Sequence, residues 1–186
     1  IVGIAGTGKT HAVASIVERL RAAGKTVDVI SKTHTASRRA GGTTADHWVR
    51  RHVLHGTTTC DALWIDECGQ VDVGLWAQLA KLSFAGVQVI LSGDFQQFPP
   101  LSNYWKGCQV PEEAFEQSSL LHTFANGNRC VLTECRRGDR LLFDFYSSLV
   151  PGGSRYQLPV AEGVREAKRE VKHDGPARWN LCISHR

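Results

Sequence analysis

Residues 3–10, Gly-Ile-Ala-Gly-Thr-Gly-Lys-Thr, satisfy the phosphate-binding loop pattern G-x-x-x-x-G-K-[ST] at every fixed position. The pattern restricts the fold because it is a mechanism written in backbone. Gly3, Gly6 and Gly8 let the chain curl tightly, so that successive N–H groups, Thr7's included, converge on phosphate oxygens. Lys9 then reaches the β- and γ-phosphates, and the Thr10 hydroxyl ligates Mg²⁺. Such a loop needs a strand before it and a helix after it. Ile1-Val2 reads as the end of a strand. His11 to Ala23 reads as a helix, with Val13, Ile16, Val17 and Leu20 on one face and Gly24 at the stop. The positive end of that helix faces the bound anion.

The pattern continues along the chain. Lys25 to Ser31 alternates and is β-branched, which predicts a strand. Residues 32–46 are rich in Thr, Ser, Arg and Gly and break at Gly41-Gly42, and a helix is expected over Thr44–Leu54. Ala62–Ile65 is a short buried strand that delivers Asp66 and Glu67 at its carboxyl end. Val71–Leu82 reads as a helix, Val87–Leu91 as another buried strand, and Gly93–Pro100 as the loop beyond it. Strands alternating with helices predict an α/β fold, a parallel sheet with helices on both faces, whose ligands sit at the strands' carboxyl ends. Beyond Pro100 the patterning weakens. Residues 101–127 read as loop and short helix, Cys130–Thr133 as strand, Arg140–Leu149 as helix, 154–178 as polar and unpatterned, and Trp179–Ser184 as a last strand.

Length and charge narrow the class. A chain of 186 residues holds one or two domains. The net charge of +4 permits nucleic-acid binding without demanding it. No apolar run approaches the roughly 20 residues a membrane helix requires, so no membrane partner is expected and an intracellular location is. The chain contains no methionine, position 1 included, which suggests a piece of a longer protein. Its six cysteines form no regular framework and are expected as reduced thiols. His47, His52, His55 and Cys60 match no standard zinc spacing and read as polar helix and loop.

Asp66 and Glu67 end an apolar strand downstream of a phosphate loop, the arrangement in which the first carboxylate holds Mg²⁺ and the second orients and activates the attacking water. The neighbouring letters carry a family resemblance. Asp66-Glu67-Cys68-Gly69-Gln70 is D-E-x-x-Q, and residues 93–100 contain G-D-x-x-Q-x-P-P. With the phosphate loop, these resemble motifs I, II and III of the superfamily 1 helicases, and most of all the RecD-like and PIF-type branch. The resemblance implies a RecA-like core that binds ATP with Mg²⁺. It makes Gln97 the sensor of the γ-phosphate, with Gln70 supporting the same site.

Lys32-Thr33-His34-Thr35 falls where the family has motif Ia, and Gly42-Thr43-Thr44-Ala45-Asp46-His47-Trp48 resembles the G-T-T-x-x-H segment of the PIF-type branch. The resemblance implies that Lys32, Thr33, His34, Thr35, Thr43 and His47 bind the backbone of a single strand, with His47 or Trp48 stacking on a base. Trp48 reads equally well as core. Leu132-Thr133-Glu134-Cys135-Arg136-Arg137 resembles motif IV, whose arginine acts across the domain cleft, and the spacing favours Arg137 over Arg136. The implied organisation is a first RecA-like domain over 1–125 and the truncated start of a second over 126–186. The implied activity is ATP-driven translocation on single-stranded DNA with duplex unwinding, in the 5′→3′ direction. Two other readings stay open: a nucleotide-dependent binding module or remnant that does not unwind, and an RNA helicase of the same superfamily.

Overall fold

A computed structural model describes residues 1–111 and 113–171. The chain divides into two compact units, Ile1–Arg137 and Gly138–Arg186.

In the first unit α1 (Lys9–Ala22) opens at Gly8, whose left-handed backbone (φ 87°) turns the loop into the helix, and it buries Val13 and Val17 one turn apart. Strand β1 (Val27–Ser31) follows, then α2 (His34–Arg39), capped by the Thr33 hydroxyl, which accepts from the Ala36 N–H. The short β2 (Thr43–Thr44) leads into α3 (Ala45–Trp48), which continues as a π-helical turn over Val49–Val53. Strand β3 (Ala62–Asp66) is buried throughout and ends in a 3₁₀ turn, Cys68–Gln70. The Asp72 carboxylate caps α4 (Val73–Leu79), so this helix starts two residues later than the apolar pattern suggests. It tightens into a 3₁₀ turn over Ala80–Phe84 before β4 (Gln88–Ser92).

Next comes a hairpin of β5 (Tyr104–Trp105) and β6 (Cys108–Gln109), in a stretch expected as loop and short helix. Lys106 and Gly107 both adopt positive φ, the turn that matches the strand twist of a two-residue hairpin. Helices α5 (Glu113–Glu116) and α6 (Ser119–Phe124) follow.

The sheet runs β2-β1-β3-β4, all parallel. Val2 extends it beyond β4 through parallel bridges to Gly93 on one side and Val131 on the other. The strand-like 130–132 segment therefore lies beside Val2 within the first unit, held by the Val2 N–H to the Cys130 carbonyl and the Leu132 N–H to the Val2 carbonyl, each 2.8 Å. One face packs Val13 and Val17 of α1 against Val27, Val29, Ala62 and Trp64. The other packs Ile30, Leu63, Ile65 and Leu91 against Trp48, Val49, Leu75, Trp76, Leu79 and Phe124. Each fully buried large side chain of β3 contributes about 1.5–3 kcal/mol. The expected parallel sheet with helices on both faces is what forms.

The second unit contains α7 (Arg140–Ser148) and α8 (Val160–Glu170). Asp139 caps α7 by accepting from the Leu141 N–H at 2.6 Å. Arg155 lies 5.2 Å from the Phe145 ring centroid and pairs with Glu166 at 2.9 Å and with Glu170. Helix α8 occupies a stretch read as unpatterned. The expected strand at Trp179–Ser184 lies outside the described residues, as does Cys182. Among the described residues no helix is long and apolar enough to cross a membrane, and Cys60, Cys68, Cys108 and Cys130 are free thiols.

Candidate functional site

The parallel strands bring the loop, Asp66-Glu67 and the Gly93–Pro100 segment to one edge. Gly3 sits so close to the 130s segment that a Cβ would lie 2.5 Å from the Leu132 carbonyl oxygen, which excludes any larger residue. Thr7 Oγ1 donates to the Ile4 carbonyl at 2.9 Å, and the buried Lys9 Nζ donates to the Gly3 and Ile4 carbonyls at 2.7 and 3.0 Å. The lysine is thus folded over the concavity that the loop encloses.

Thr10 and Asp66 are 56 residues apart in sequence and meet in space, with Thr10 Oγ1 3.5 Å from Asp66 Oδ2. The other carboxylate oxygen accepts from Ser92 Oγ at 2.6 Å. Two hard oxygen donors, one of them anionic, fit a Mg²⁺ ion. Beside them Ser31, the β1 register partner of Asp66, is fully buried with its hydroxyl unpartnered.

Glu67 is set apart from its neighbour in two ways. Its backbone is left-handed (φ 52°, ψ 46°), uncommon for a residue with a side chain and a recurrent mark of functional positions. Burial first, and the Asp66 charge second, raise its carboxyl above the ordinary glutamate value, against the pull of Lys9 and Arg39. A raised pKa suits a carboxylate that takes up a proton near neutral pH.

Gln70 and Gln97 are also brought together. Gln70 Nε2 donates to Gln97 Oε1 at 3.3 Å, and Gln97 Nε2 donates to Asp94 Oδ2 at 3.4 Å. Asp94 further accepts from the Gln96 N–H at 3.0 Å, fixing the loop that carries the glutamine. Gln97 also lines an apolar cavity of about 330 Å³, with Trp76, Phe95, Trp105 and Phe115 among its walls.

The segment 32–48 is more divided. Thr33, His34, Thr35, Thr43 and His47 are exposed. Lys32 instead bridges two carboxylates, Asp72 at 2.8 Å and Asp46 at 3.0 Å, tying the end of β1 to the starts of α3 and α4. Burial opposes the ammonium form, yet these hydrogen bonds raise its pKa overall. Trp48 does not stack on a base from this position: it is 3% exposed and its indole N–H donates to Asp28 Oδ2 at 2.7 Å. His47 instead lines a cleft of about 220 Å³ with Arg21, Thr43, Arg51 and His52. Among the described residues no three His, Cys, Asp or Glu side chains gather as a metal site, and the Cys60 thiol is pushed up to about 11 by burial.

Arg137 is exposed at the end of the first unit. Arg136 is anchored on the phosphate loop. Its N–H donates to the Gly6 carbonyl at 2.8 Å, and its guanidinium pairs with Glu134 at 2.6 Å. Sequence reasoning missed Arg136's backbone anchor, and it missed Ser92 and Trp64 behind Asp66. The signal for these lay in the pairing of β3 with β4, which no local pattern expresses.

Comparison with known proteins gives the same class. A family model described as an AAA domain matches residues 1–103. The ATP-dependent DNA helicase PIF1 of Homo sapiens is 32% identical over 212 aligned positions, which cover 97% of this chain and 31% of that protein. A crystal structure of Bacteroides Pif1 bound to ssDNA is similar, with a TM-score of 0.63 and 19% identity over 90% of this chain and 45% of that one. Another, Bacteroides Pif1 in complex with ADP-AlF3 and ssDNA, gives a TM-score of 0.56 and 20% identity over 95% of this chain and 47% of that one. The chain spans about a third of the length of the curated relatives it matches. Its phosphate loop, parallel sheet and family match together place it: the chain belongs to the AAA-domain family, in the PIF1-type branch of the superfamily 1 helicases.

Proposed function

We propose that this chain is the ATP-hydrolysing part of a motor that moves on single-stranded DNA and unwinds duplex, in the 5′→3′ direction that the family resemblance implies. The observation that carries the reading is the convergence of Thr10 and Asp66 across 56 residues, at the mouth of a loop closed by Lys9. The ATP-dependent relatives and the ssDNA-bound structural neighbours support it.

On this reading the loop N–H groups and Gly3, Gly6, Thr7 and Gly8 cradle the triphosphate. Lys9 exchanges its two carbonyl partners for phosphate oxygens. Thr10 and Asp66 would hold Mg²⁺, which when bound draws charge from the phosphate oxygens and so favours departure of ADP. Glu67 orients the attacking water and accepts its proton, a task for which its raised pKa suits it. Gln97 is poised to exchange the bond it accepts from Gln70 for one from the attacking water, and the bond it donates to Asp94 for one to the γ-phosphate. Because the Gly93–Pro100 loop carries it, that exchange reports hydrolysis to the rest of the unit. Arg137 would add to the charge stabilisation, the role the resemblance implies, with residues 126–186 as the truncated start of a second RecA-like domain. The exposed Thr33, His34, Thr35, Thr43 and His47 form the single-strand contact surface, and Lys32 contributes chiefly by holding that surface together.

The test is Lys9→Met in the purified chain, read by binding of a fluorescent ATP analogue in Mg²⁺ and by phosphate release with and without single-stranded DNA. Loss of nucleotide affinity by 10-fold or more, with the circular dichroism of the fold retained, is expected. Unchanged binding would overturn the site assignment. Parallel assays with single-stranded RNA decide the nucleic-acid class.

A further inference from the structure

Behind the Thr10–Asp66 pair lies a buried hydrogen-bond relay that the phosphate-loop motif does not require. The Trp64 indole N–H donates to Ser92 Oγ at 2.7 Å, and the Ser92 hydroxyl donates to Asp66 Oδ1 at 2.6 Å. Trp64, Ser92 and Asp66 are 1%, 0% and 2% exposed. Strand register builds the relay. Ser92 is the partner of Asp66 across β3 and β4, and Trp64 precedes Asp66 by two residues, so the pleat sets all three on one face.

The chemistry of the three groups gives the relay a direction. An indole nitrogen only donates, whereas a hydroxyl has one proton and two lone pairs. With one lone pair of Ser92 taken by Trp64, the serine proton goes to the carboxylate. Oδ1 is therefore occupied from behind, and Oδ2 is the oxygen turned toward Thr10. On the opposite flank of Asp66 stands Ser31, its partner across β1 and β3, fully buried with its hydroxyl unpaired. A buried donor left alone beside a carboxylate marks a place where water or an ion completes the set.

We infer that Trp64 and Ser92 are positioning residues that hold Asp66 with Oδ2 presented to a divalent cation beside Thr10, and that Ser31 donates to water carried by that cation. The inference rests on reading the site as one for a metal–nucleotide complex. It adds the device that orients the metal-binding carboxylate. The same reasoning explains why an indole, rather than an aliphatic side chain, fills this core position of β3. Supporting groups of this kind commonly govern metal affinity by 10–100-fold.

The experiment separates metal-dependent from metal-independent binding in the whole chain. Fluorescent ATP analogue is titrated in EDTA and in Mg²⁺, and Mn²⁺ uptake by the chain–nucleotide complex is followed by electron paramagnetic resonance. Ser92→Cys, which keeps the side-chain shape but is a weak donor, and Trp64→Phe, which removes the N–H together with part of the ring, are compared with Ser92→Thr and Ser31→Ala. Affinity in EDTA is expected to match the wild type for all four. The gain from metal should fall by about 10-fold or more in Ser92→Cys, and by a smaller factor in Trp64→Phe and Ser31→Ala. Ser92→Thr should keep it. The Trp64→Phe/Ser92→Cys double variant should be no worse than Ser92→Cys, since both act through one hydroxyl. Equal losses with and without metal, strictly additive losses in the double variant, or Mn²⁺ uptake unchanged in Ser92→Cys would each overturn the relay. A wild-type chain that gains nothing from metal would instead overturn the nucleotide-site reading beneath it.

Discussion

Glu67 concentrates two costs in one residue, and replacing it should stabilise the chain while ending hydrolysis. The first cost is conformational: a left-handed backbone costs a residue with a Cβ about 1–2 kcal/mol. The second is electrostatic, because burial and the Asp66 charge raise the Glu67 carboxyl above the ordinary 4.5. For a carboxyl whose folded pKa is raised, the protonated form is the one the fold favours. The stability this contributes is complete below the ordinary glutamate value and is lost as pH rises through the folded value. The wild type therefore carries a penalty that grows as pH rises above the ordinary glutamate value. Glu67→Gln removes only the charge and should gain on the order of 1 kcal/mol at pH 7. That gain should shrink as pH falls, and vanish below 4.5. Glu67→Gly removes both costs but adds about 0.4–1 kcal/mol of unfolded-chain entropy, so it should exceed Glu67→Gln by roughly 0–1.5 kcal/mol. Urea unfolding followed by tryptophan fluorescence reads chiefly the right unit, since four of the five tryptophans, Trp48, Trp64, Trp76 and Trp105, belong to Ile1–Arg137. A Glu67→Gln variant no more stable than wild type at pH 7, or equally stabilised at pH 4 and pH 7, would refute the reasoning.

Three other outcomes are expected. Trp48→Phe should cost about 1–3 kcal/mol, because Asp28 loses a donor, and should leave single-strand affinity unchanged in a fluorescence-anisotropy titration. Gly42→Ala should cost about 1–3 kcal/mol or more in thermal unfolding, since its Cβ would fall 2.0 Å from the Val29 carbonyl oxygen, whereas Gly41→Ala meets nothing within 4 Å and should cost only about 1–2 kcal/mol for its left-handed backbone. Lys32→Met should destabilise most at neutral pH and least in acid. Burial alone would raise the Asp72 pKa, but the Lys32 hydrogen bond and the Leu75 N–H hold it below 3.8, so its contribution is present above that value and lost as pH falls. Unfolding curves at pH 7 and pH 3 test the sign, and the salt dependence of single-strand binding should change little in the same variant.

What was legible in the sequence was legible for local reasons. The phosphate loop, α1 and the apolar strands β3 and β4 each follow from a contiguous pattern of glycines, periodic apolar residues or β-branched runs. Helix α2 was not, because His34–Arg39 offers no apolar stripe and is held by the Thr33 cap and the buried Ser37. The β5–β6 hairpin was hidden by strands only two residues long, with Lys106 as the positive-φ residue where asparagine or aspartate would have signalled the turn. Helix α8 buries none of its own residues and is mostly charged and small, so its sequence, VAEGVREAKRE, reads as a polar stretch. Trp48 was ambiguous because an indole serves equally as a stacking surface and as core. Its partner Asp28 lies 20 residues away, and only the fold joins them.

The same distinction separates the two adjacent carboxylates. Sequence marks Asp66 and Glu67 as a pair, but their different tasks come from long-range pairing. Asp66 lies in the last regular position of β3, where register delivers Ser92 from one side and Ser31 from the other and Thr10 meets it from α1. The Ser92 hydroxyl, donating to one Asp66 oxygen, fixes the direction of the other, which is what a cation ligand requires. One residue later the backbone leaves the strand in a left-handed turn, and register no longer supplies Glu67 with partners. Burial first and the Asp66 charge second govern its carboxylate and raise its pKa, which is what a proton acceptor requires. A single strand end thus gives two chemically similar side chains opposite environments. Straightening residue 67 back into β3 would give both the same one, and would remove the division of labour even with both carboxylates kept.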